Sequence, residues 1–550
     1  MKRLPRHLRS LLPRVRDYAQ VRRTWRGDLL AGVTVGIVAL PLALGFGISS
    51  GAGAAAGLVT AIVAGVVAAV FGGSHVQVSG PTGAMVVVLA PIVAIHGVGA
   101  VALVTMMAGV IVLAAGALRL GRAASFIPWP VIEGFTLGIA IIIFLQQIPA
   151  LTGPGHDGPS HTNVAVTAVQ SLMTADPGYL TWAAGAVTVV ALCMFLLPRV
   201  HRAFPASLTG VVIVTIGAAL LPVPLARIGE LPSTLPAPSF PAVDAATLLA
   251  LIGPAFTVAA LAAIESLLSA RVAVSLADTG PYDPDRELIG QGLASVSAGL
   301  FGGMPATGAI ARTAVNVRAG GRSRLAAVVH SIVLLVVVLV ASAPAGLIPL
   351  AALSGVLMVT AIRMVHVRSA RSILRSTRAD AAAYLITALV TVSVDLIVAV
   401  GIGVVVAGVF ALRSVAKSTR VEREPLPGEP RAGDEHIAVL RVDGSLIFAS
   451  AERILDEVTR PDQVTVVILR LSQLQEVDAT GARVLSEIVS RLEARGVTVL
   501  IKGVRDRHAD LFRGIGVIGA LRHGDHLFTS LDAAAEHARR HIAGSLLTTE

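Results

Sequence analysis

The stretch Leu29–Gly47 carries no charged residue, and Thr60–Gly73, Val86–Ile95 and Val101–Leu118 are equally clean. Several of these runs approach the roughly 20 apolar residues that cross a bilayer as a helix. A soluble protein with buried helices needs polar faces that these runs lack. The whole chain is 54% hydrophobic and only 14% charged, outside the usual soluble balance. The chain therefore reads as a polytopic membrane protein.

Hydropathy places about fourteen spans, at 28–48, 56–72, 81–96, 99–118, 131–150, 180–198, 207–221, 254–273, 287–301, 307–318, 325–341, 345–362, 381–394 and 396–412. The net charge of +10 would suit nucleic acid, but its distribution does not. Lys2, Arg3, Arg6, Arg9, Arg14, Arg16, Arg22, Arg23 and Arg26 precede the first apolar run, as on a cytoplasmic flank facing anionic lipid. Every second connection from span 4 onward is arginine-bearing: Arg119 and Arg122, Arg199 and Arg202, Arg271 and Arg286, Arg318 to Arg324, Arg363 to Arg378, then Arg413 and Lys417. The opposite connections are nearly free of Lys and Arg, with none in 151–179 and only Arg227 in 222–253. This alternation predicts cytoplasmic termini. Cys193 is the single cysteine, so no intrachain disulfide forms.

Seven spans precede the proline-rich segment around Pro222 to Pro241 and seven follow, so two repeats of odd span number must be inverted. Both halves carry an interrupted apolar run. One reads Phe71-Gly72-Gly73-Ser74, then Ser79-Gly80-Pro81-Thr82-Gly83-Ala84-Met85. The other reads Phe301-Gly302-Gly303-Met304-Pro305-Ala306-Thr307-Gly308-Ala309-Ile310. Gly and Pro at matching places of two halves indicate broken helices at a binding site, whose N–H groups and dipoles suit an anion. Tight turns at the membrane surface are the alternative reading. Glu265 lies in the otherwise uncharged stretch Phe256–Leu268, and an intramembrane carboxyl is a functional candidate by default.

After Leu412 the pattern changes. Residues 413–435 form a charged linker, then β-like runs at Ile437–Val442, Leu446–Phe448, Val464–Leu471 and Val497–Ile501 alternate with helical patterns at Ala451–Val458, Ala482–Ala494 and Leu531–Ala543. This predicts a small cytoplasmic α/β domain. The resulting division is a basic arm 1–27, a membrane domain 28–412, the linker 413–435, the α/β domain 436–545 and a tail 546–550.

These motifs, in this order, resemble the sulfate-permease (SulP) superfamily of anion transporters. The matching residues are Asp28-Leu-Leu-Ala-Gly-Val-Thr-Val-Gly with Pro41, Val78-Ser-Gly-Pro-Thr-Gly, Ile132-Glu-Gly-Phe-Thr, Ile264-Glu-Ser-Leu-Leu, Pro305-Ala-Thr-Gly-Ala-Ile-Ala-Arg-Thr-Ala-Val-Asn and Ala319-Gly-Gly. Val477-Asp-Ala-Thr-Gly in the C-terminal segment resembles a STAS domain. The resemblance implies a seven-plus-seven inverted repeat, all-α in the membrane, with a core domain moving against a gate domain in an elevator-like cycle. It also implies a homodimer in the cytoplasmic membrane.

The resemblance further implies that the two half-helix N-termini face each other across the substrate. It assigns Thr82, Gly83 and Ala84 in the first and Gly308, Ala309 and Ile310 in the second. Arg312 corresponds to an arginine that makes the anion site electropositive; an arginine snorkelling to the cytoplasm is the other reading. Leu42 and Phe46, after Pro41, line the site from span 1, Leu42 replacing a glutamine common in relatives. Glu265 corresponds to an acid that serves ion coupling. It binds a proton, because burial favours a neutral carboxyl, or it binds Na⁺ together with Ser269 one turn later. In sodium-coupled bicarbonate relatives these positions are Asp and Thr, with a hydroxyl where this chain has Ile310, so the proton is preferred. A structural ion pair of Glu265 with Arg271 or Arg312 is the third reading. Thr480 is expected to cap the helix at Asp478-Ala479-Thr480-Gly481.

The leading function is secondary transport of a small anion: bicarbonate, sulfate, chloride or a dicarboxylate, by symport or exchange. Nucleobase uptake is a second transport reading. A membrane-anchored regulatory protein whose STAS domain binds a cytoplasmic partner belongs to another class. The sequence holds no nucleophile–base pair, metal-ligand spacing or Walker loop, so neither an enzyme nor a cofactor is expected.

Overall fold

The structure is a computed structural model describing residues 11, 13–122, 128–153, 164–200, 205–241, 244–276, 280–393, 402–406, 408–410, 420–446 and 464–547. Lys2 to Arg9, Asp395, most of the expected span 396–412, the helical pattern at Ala451–Val458 and residues 548–550 lie outside them. The chain divides into two units, Met1–Val404 and Val405–Glu550, a boundary earlier than the expected one at 412.

The first unit is helical. Its elements are α1 (Val21–Ser49), α2 (Ala54–Phe71), β1 (Ser79–Gly80), α3 (Gly83–His96), α4 (Gly99–Ala117), α5 (Trp129–Gln146), α6 (Val164–Met173), α7 (Pro177–Val200), α8 (Ala206–Leu220) and α9 (Ala245–Leu276). They continue with α10 (Pro284–Leu300), β2 (Thr307–Gly308), α11 (Ile310–Arg318), α12 (Leu325–Gly346), α13 (Leu350–Met364), α14 (Val367–Arg375) and α15 (Arg378–Ser393). Among the described residues eight helices are long and apolar enough to cross a membrane. The expected spans 81–96 and 307–318 are instead short helices, because their lead-in segments run extended and pair with each other. Hydropathy also gave no sign of α6 and α14, which are too short to dominate a membrane-length window.

The helices pack as two groups. In one, α10 lies along α4 and α2, α12 along α1, and α9 along α4, α10 and α11. In the other, α15 lies along α5, and α13 along α7, α8 and α5. The groups meet where α1 contacts α8 and α13, and where α3 contacts α5. This is the core-and-gate division. Within the core, Thr60 sits in a π-helical turn of α2, donates to Ala56 O (2.7 Å) and receives Met304 N (2.7 Å). The widened turn thereby satisfies a backbone group of the second break, a use typical of π-bulges.

The second unit is a sheet of β3 (Arg420–Glu424), β4 (Ile437–Leu446), β5 (Val466–Arg470), β6 (Leu474–Val477), β7 (Thr498–Lys502) and β8 (Leu527–Phe528), with helices α16 (Ala479–Ala494), α17 (Asp506–Ile515) and α18 (Leu531–Leu547). The order is β3-β4-β5-β7-β8, with β6 beside β4; β3 alone is antiparallel. Alternate residues face opposite cores: Ala438, Leu440 and Val467 pack with Leu485 and Ile488 of α16, while Val439, Val466 and Ile468 pack with Ala534 and Ala538 of α18. Burial on both faces explains the continuous apolar run of β5. β3 lies inside 413–435, so that segment is partly sheet rather than linker. Its sequence Arg-Val-Glu-Arg-Glu has no apolar pattern; Arg441 instead pairs with Glu422 (2.5 Å) and Glu424 (2.7 Å) across the ladder.

Asp478, not Thr480, caps α16, accepting from Gly481 N at 2.7 Å. Asp478→Ala is expected to destabilise this unit by about 1 kcal/mol. Hydrogen exchange of the β5 and β7 amides in the full chain would read this as roughly fivefold faster global opening.

Candidate functional site

The site forms where the two breaks cross. Ser79 and Gly80 pair antiparallel with Gly308 and Thr307. Strands of opposite direction send the following helices, α3 and α11, away from one crossing, so their N-terminal turns meet there. The first N–H groups of each helix have no intrahelical partner, and no side chain caps either. Two positive dipole ends therefore converge.

Only part of the expected donor set is free. Gly308 N donates to Ser266 Oγ (3.1 Å) and Ala309 N to Val78 O (2.9 Å), so these two hold the break together instead of pointing at a guest. A Cβ on Gly308 would overlap Nε2 of Gln77, which fixes this position as glycine. The first turn of α11 at Ile310, Ala311 and Arg312 supplies the remaining donors; Ile310 is half-buried and Ala311 exposed. In the other cap Thr82, Gly83 and Ala84 are all buried. A Cβ on Gly83 would overlap Ile143 Cδ1 of α5 and lie 3.4 Å from Phe46 Cε1. Phe46 and Leu42 are 5% and 7% exposed, so both face the protein, and Phe46 closes over the α3 cap.

Thr82 is engaged by Glu265. Its Oγ1 donates to Glu265 Oε2 at 2.8 Å, and Thr307 Oγ1 donates to the same oxygen at 2.9 Å. The two hydroxyls are 3.1 Å apart. One carboxyl oxygen thus reads both breaks at once. Glu265 itself is only partly buried. Thr307 was not singled out from the sequence, although Thr-Gly recurs in both breaks at Thr82-Gly83 and Thr307-Gly308. Ser269 is one turn on, fully buried, with its Oγ 3.5 Å from Thr313 Oγ1. Among the described residues no hydrogen bond joins it to Glu265 or to either threonine of that cluster.

Arg312 is 2% exposed. Its Nη2 donates to Pro81 O, and its Nη1 lies against Gly80 without a hydrogen-bond partner among the described residues. The guanidinium therefore crosses from α11 to the lead-in of α3, and does not snorkel to the cytoplasm. Among the described residues no ion pair joins Glu265 to Arg312 or Arg271. Behind the first break, Glu287 accepts from Gly73 N (2.8 Å), Ser74 N (2.9 Å) and Gln291 Nε2 (2.9 Å), and Gln291 also donates to Ser79 Oγ (2.7 Å). These residues set the loop and were not read as part of the site. His330 is fully buried in α12 beside Ser331.

Thr307→Val removes one of two donors to Glu265 Oε2. A neutral hydrogen bond is worth about 1 kcal/mol. For a proton-binding Glu265, whose ionised carboxyl this donor stabilises, uptake assays should show roughly a fivefold fall in the proton concentration needed for half-maximal transport, with Thr82→Val giving a similar fall.

The description "Sulfate permease family" matches residues 25–387 and "STAS domain" residues 431–534. The chain is 34% identical over 515 residues to a candidate sulfate transporter of Bacillus subtilis (strain 168), YvdB, covering 91% of this chain and 96% of that one. It is 32% identical over 508 residues to the bicarbonate transporter BicA of Synechocystis, covering 88% of each. The solved transmembrane domain of a cyanobacterium BicA superposes with TM-score 0.60 at 32% identity, over 70% of this chain and 98% of that one. The murine anion transporter Slc26a9 in its inward-facing state shares the fold, with TM-score 0.84 at 19% identity over 98% and 96%.

Proposed function

Because the chain belongs to the sulfate permease family and is a multi-pass anion transporter rather than an enzyme, we propose that it carries a small anion across the cytoplasmic membrane by proton-coupled symport. Bicarbonate, sulfate and a dicarboxylate are the candidate cargoes. The core group, with α3, α11 and Glu265, moves against the gate group in an elevator-like cycle, and two copies form a homodimer. Both termini and the STAS unit face the cytoplasm.

The observation that carries this reading is the shared oxygen of Glu265, held by one hydroxyl from each break beside Arg312. Charge explains the coupling. Empty, the site holds an ionised Glu265 and Arg312, and its charges cancel. A monovalent anion added alone would leave one uncompensated negative charge. A proton added alone would leave one positive charge. Moving either through hydrocarbon is costly. Anion and proton together restore balance, so only the fully empty and fully loaded forms cross readily. This balance suits a monovalent anion better than sulfate or a dicarboxylate dianion.

A sodium ion would satisfy the same charge balance and is the second reading. The departure from the sodium-coupled pattern favours the proton, since this chain has Glu265 and Ser269 in place of Asp and Thr, and Ile310 where that pattern has a hydroxyl. Uptake of labelled bicarbonate, sulfate and succinate into proteoliposomes, under separately imposed proton and sodium gradients, tests the proposal. Accumulation is expected with an inward proton gradient. Accumulation driven by sodium alone would replace the proton with the second reading, and no transport of any anion would favour a regulatory membrane protein.

A further inference from the structure

The helix α14 carries a mixed outer face that transport does not use. It is short and joins α13 to α15, two apolar helices of the gate group. Its inner side is fixed by Ile373, 1% exposed, with Ala370 half-buried beside it. Its outer side presents Val367 and Leu374, 62% and 47% exposed, between exposed Arg368, Arg371 and Arg375. Positions 367, 371, 374 and 375 fall on one stripe of a helix.

The charge is uncompensated. No acidic residue occurs from Ala361 to Ala379. Among the described residues neither a hydrogen bond nor an ion pair engages the side chains of Arg368, Arg371 or Arg375. Arg363 differs, since it donates to Met194 O and lies over the Phe195 ring at 5.4 Å. The arginines flanking α13 and α15 mark this end as cytoplasmic, where the bilayer surface is negative.

We propose that α14 is a docking surface for anionic phospholipid headgroups of the cytoplasmic leaflet. Val367 and Leu374 enter the interface while the three guanidiniums reach phosphate oxygens, which they bind more specifically than an ammonium would. The surface belongs to the gate group, so lipid contact ties that group to the leaflet. The core group, with the anion site, is left as the moving part.

Native mass spectrometry of the full-length protein with added phosphatidylglycerol or phosphatidylcholine tests this. The wild type should retain phosphatidylglycerol at least tenfold better. Arg368→Gln/Arg371→Gln/Arg375→Gln should lose at least fivefold of that retention. The same loss of charge in the STAS unit, Arg483→Gln/Arg495→Gln/Arg513→Gln, should retain it. Unchanged phosphatidylglycerol retention in the α14 variant would overturn the proposal. So would a shift of that variant from dimer to monomer without a change in lipid binding, since a second copy would then be the occupant. A probe on Leu374→Cys in a Cys193→Ala background gives an independent reading. Brominated lipid should quench it, and absence of quenching would overturn the proposal without recourse to the arginine variants.

Discussion

Glu265→Gln is expected to convert the protein from a symporter into an exchanger. The amide keeps the volume of the carboxyl but cannot change charge. The empty site then holds the positive charge of Arg312 alone, while the site loaded with a monovalent anion is neutral. Only the loaded form crosses readily, so labelled anion should still exchange for unlabelled anion across the membrane. Net accumulation driven by a proton gradient should fall at least tenfold, to the level without a gradient. Proteoliposomes preloaded with unlabelled anion separate the two readouts. Gradient-driven accumulation by Glu265→Gln at the wild-type level would remove Glu265 from coupling.

Arg312→Gln should act on affinity instead. The buried guanidinium bonds Pro81 O and leaves Nη1 free beside Gly80. A charge-assisted hydrogen bond is worth about 2 kcal/mol, so anion affinity should fall by roughly 30-fold. Arg312→Lys keeps the charge but not the planar fork, and should recover part of the affinity. Equal affinity of Arg312→Gln and wild type, measured by half-saturation of exchange, would assign Arg312 to holding the breaks together and nothing more.

Much of this arrangement could be read from the chain, and the parts that could not have physical reasons. Charge-free runs such as Leu29–Gly47 announce α1 because hydrocarbon tolerates little else. The Gly-Pro-Thr interruptions announce the breaks, and an acid in an apolar helix announces itself by its cost. Which N–H groups remain free is decided by tertiary contacts. Ser266 and Val78 come from other segments, and no local pattern says that they occupy Gly308 and Ala309. The pairing of Glu265 with Thr82 and Thr307 was partly visible in the repeated Thr-Gly step, but Thr307 precedes its helix by more residues than Thr82 does. The strand Arg420–Glu424 was hidden because an edge strand can be held by ion pairs instead of apolar alternation.

The central claim is that the two helix starts and Arg312 together cradle an anion. Crystals of the protein soaked in bromide or selenate test it by anomalous diffraction. A strong peak is expected about 3 to 3.5 Å from Arg312 Nη1 and from the N–H groups that open α3 or α11. A transported anion whose peak lies away from the crossing would contradict it.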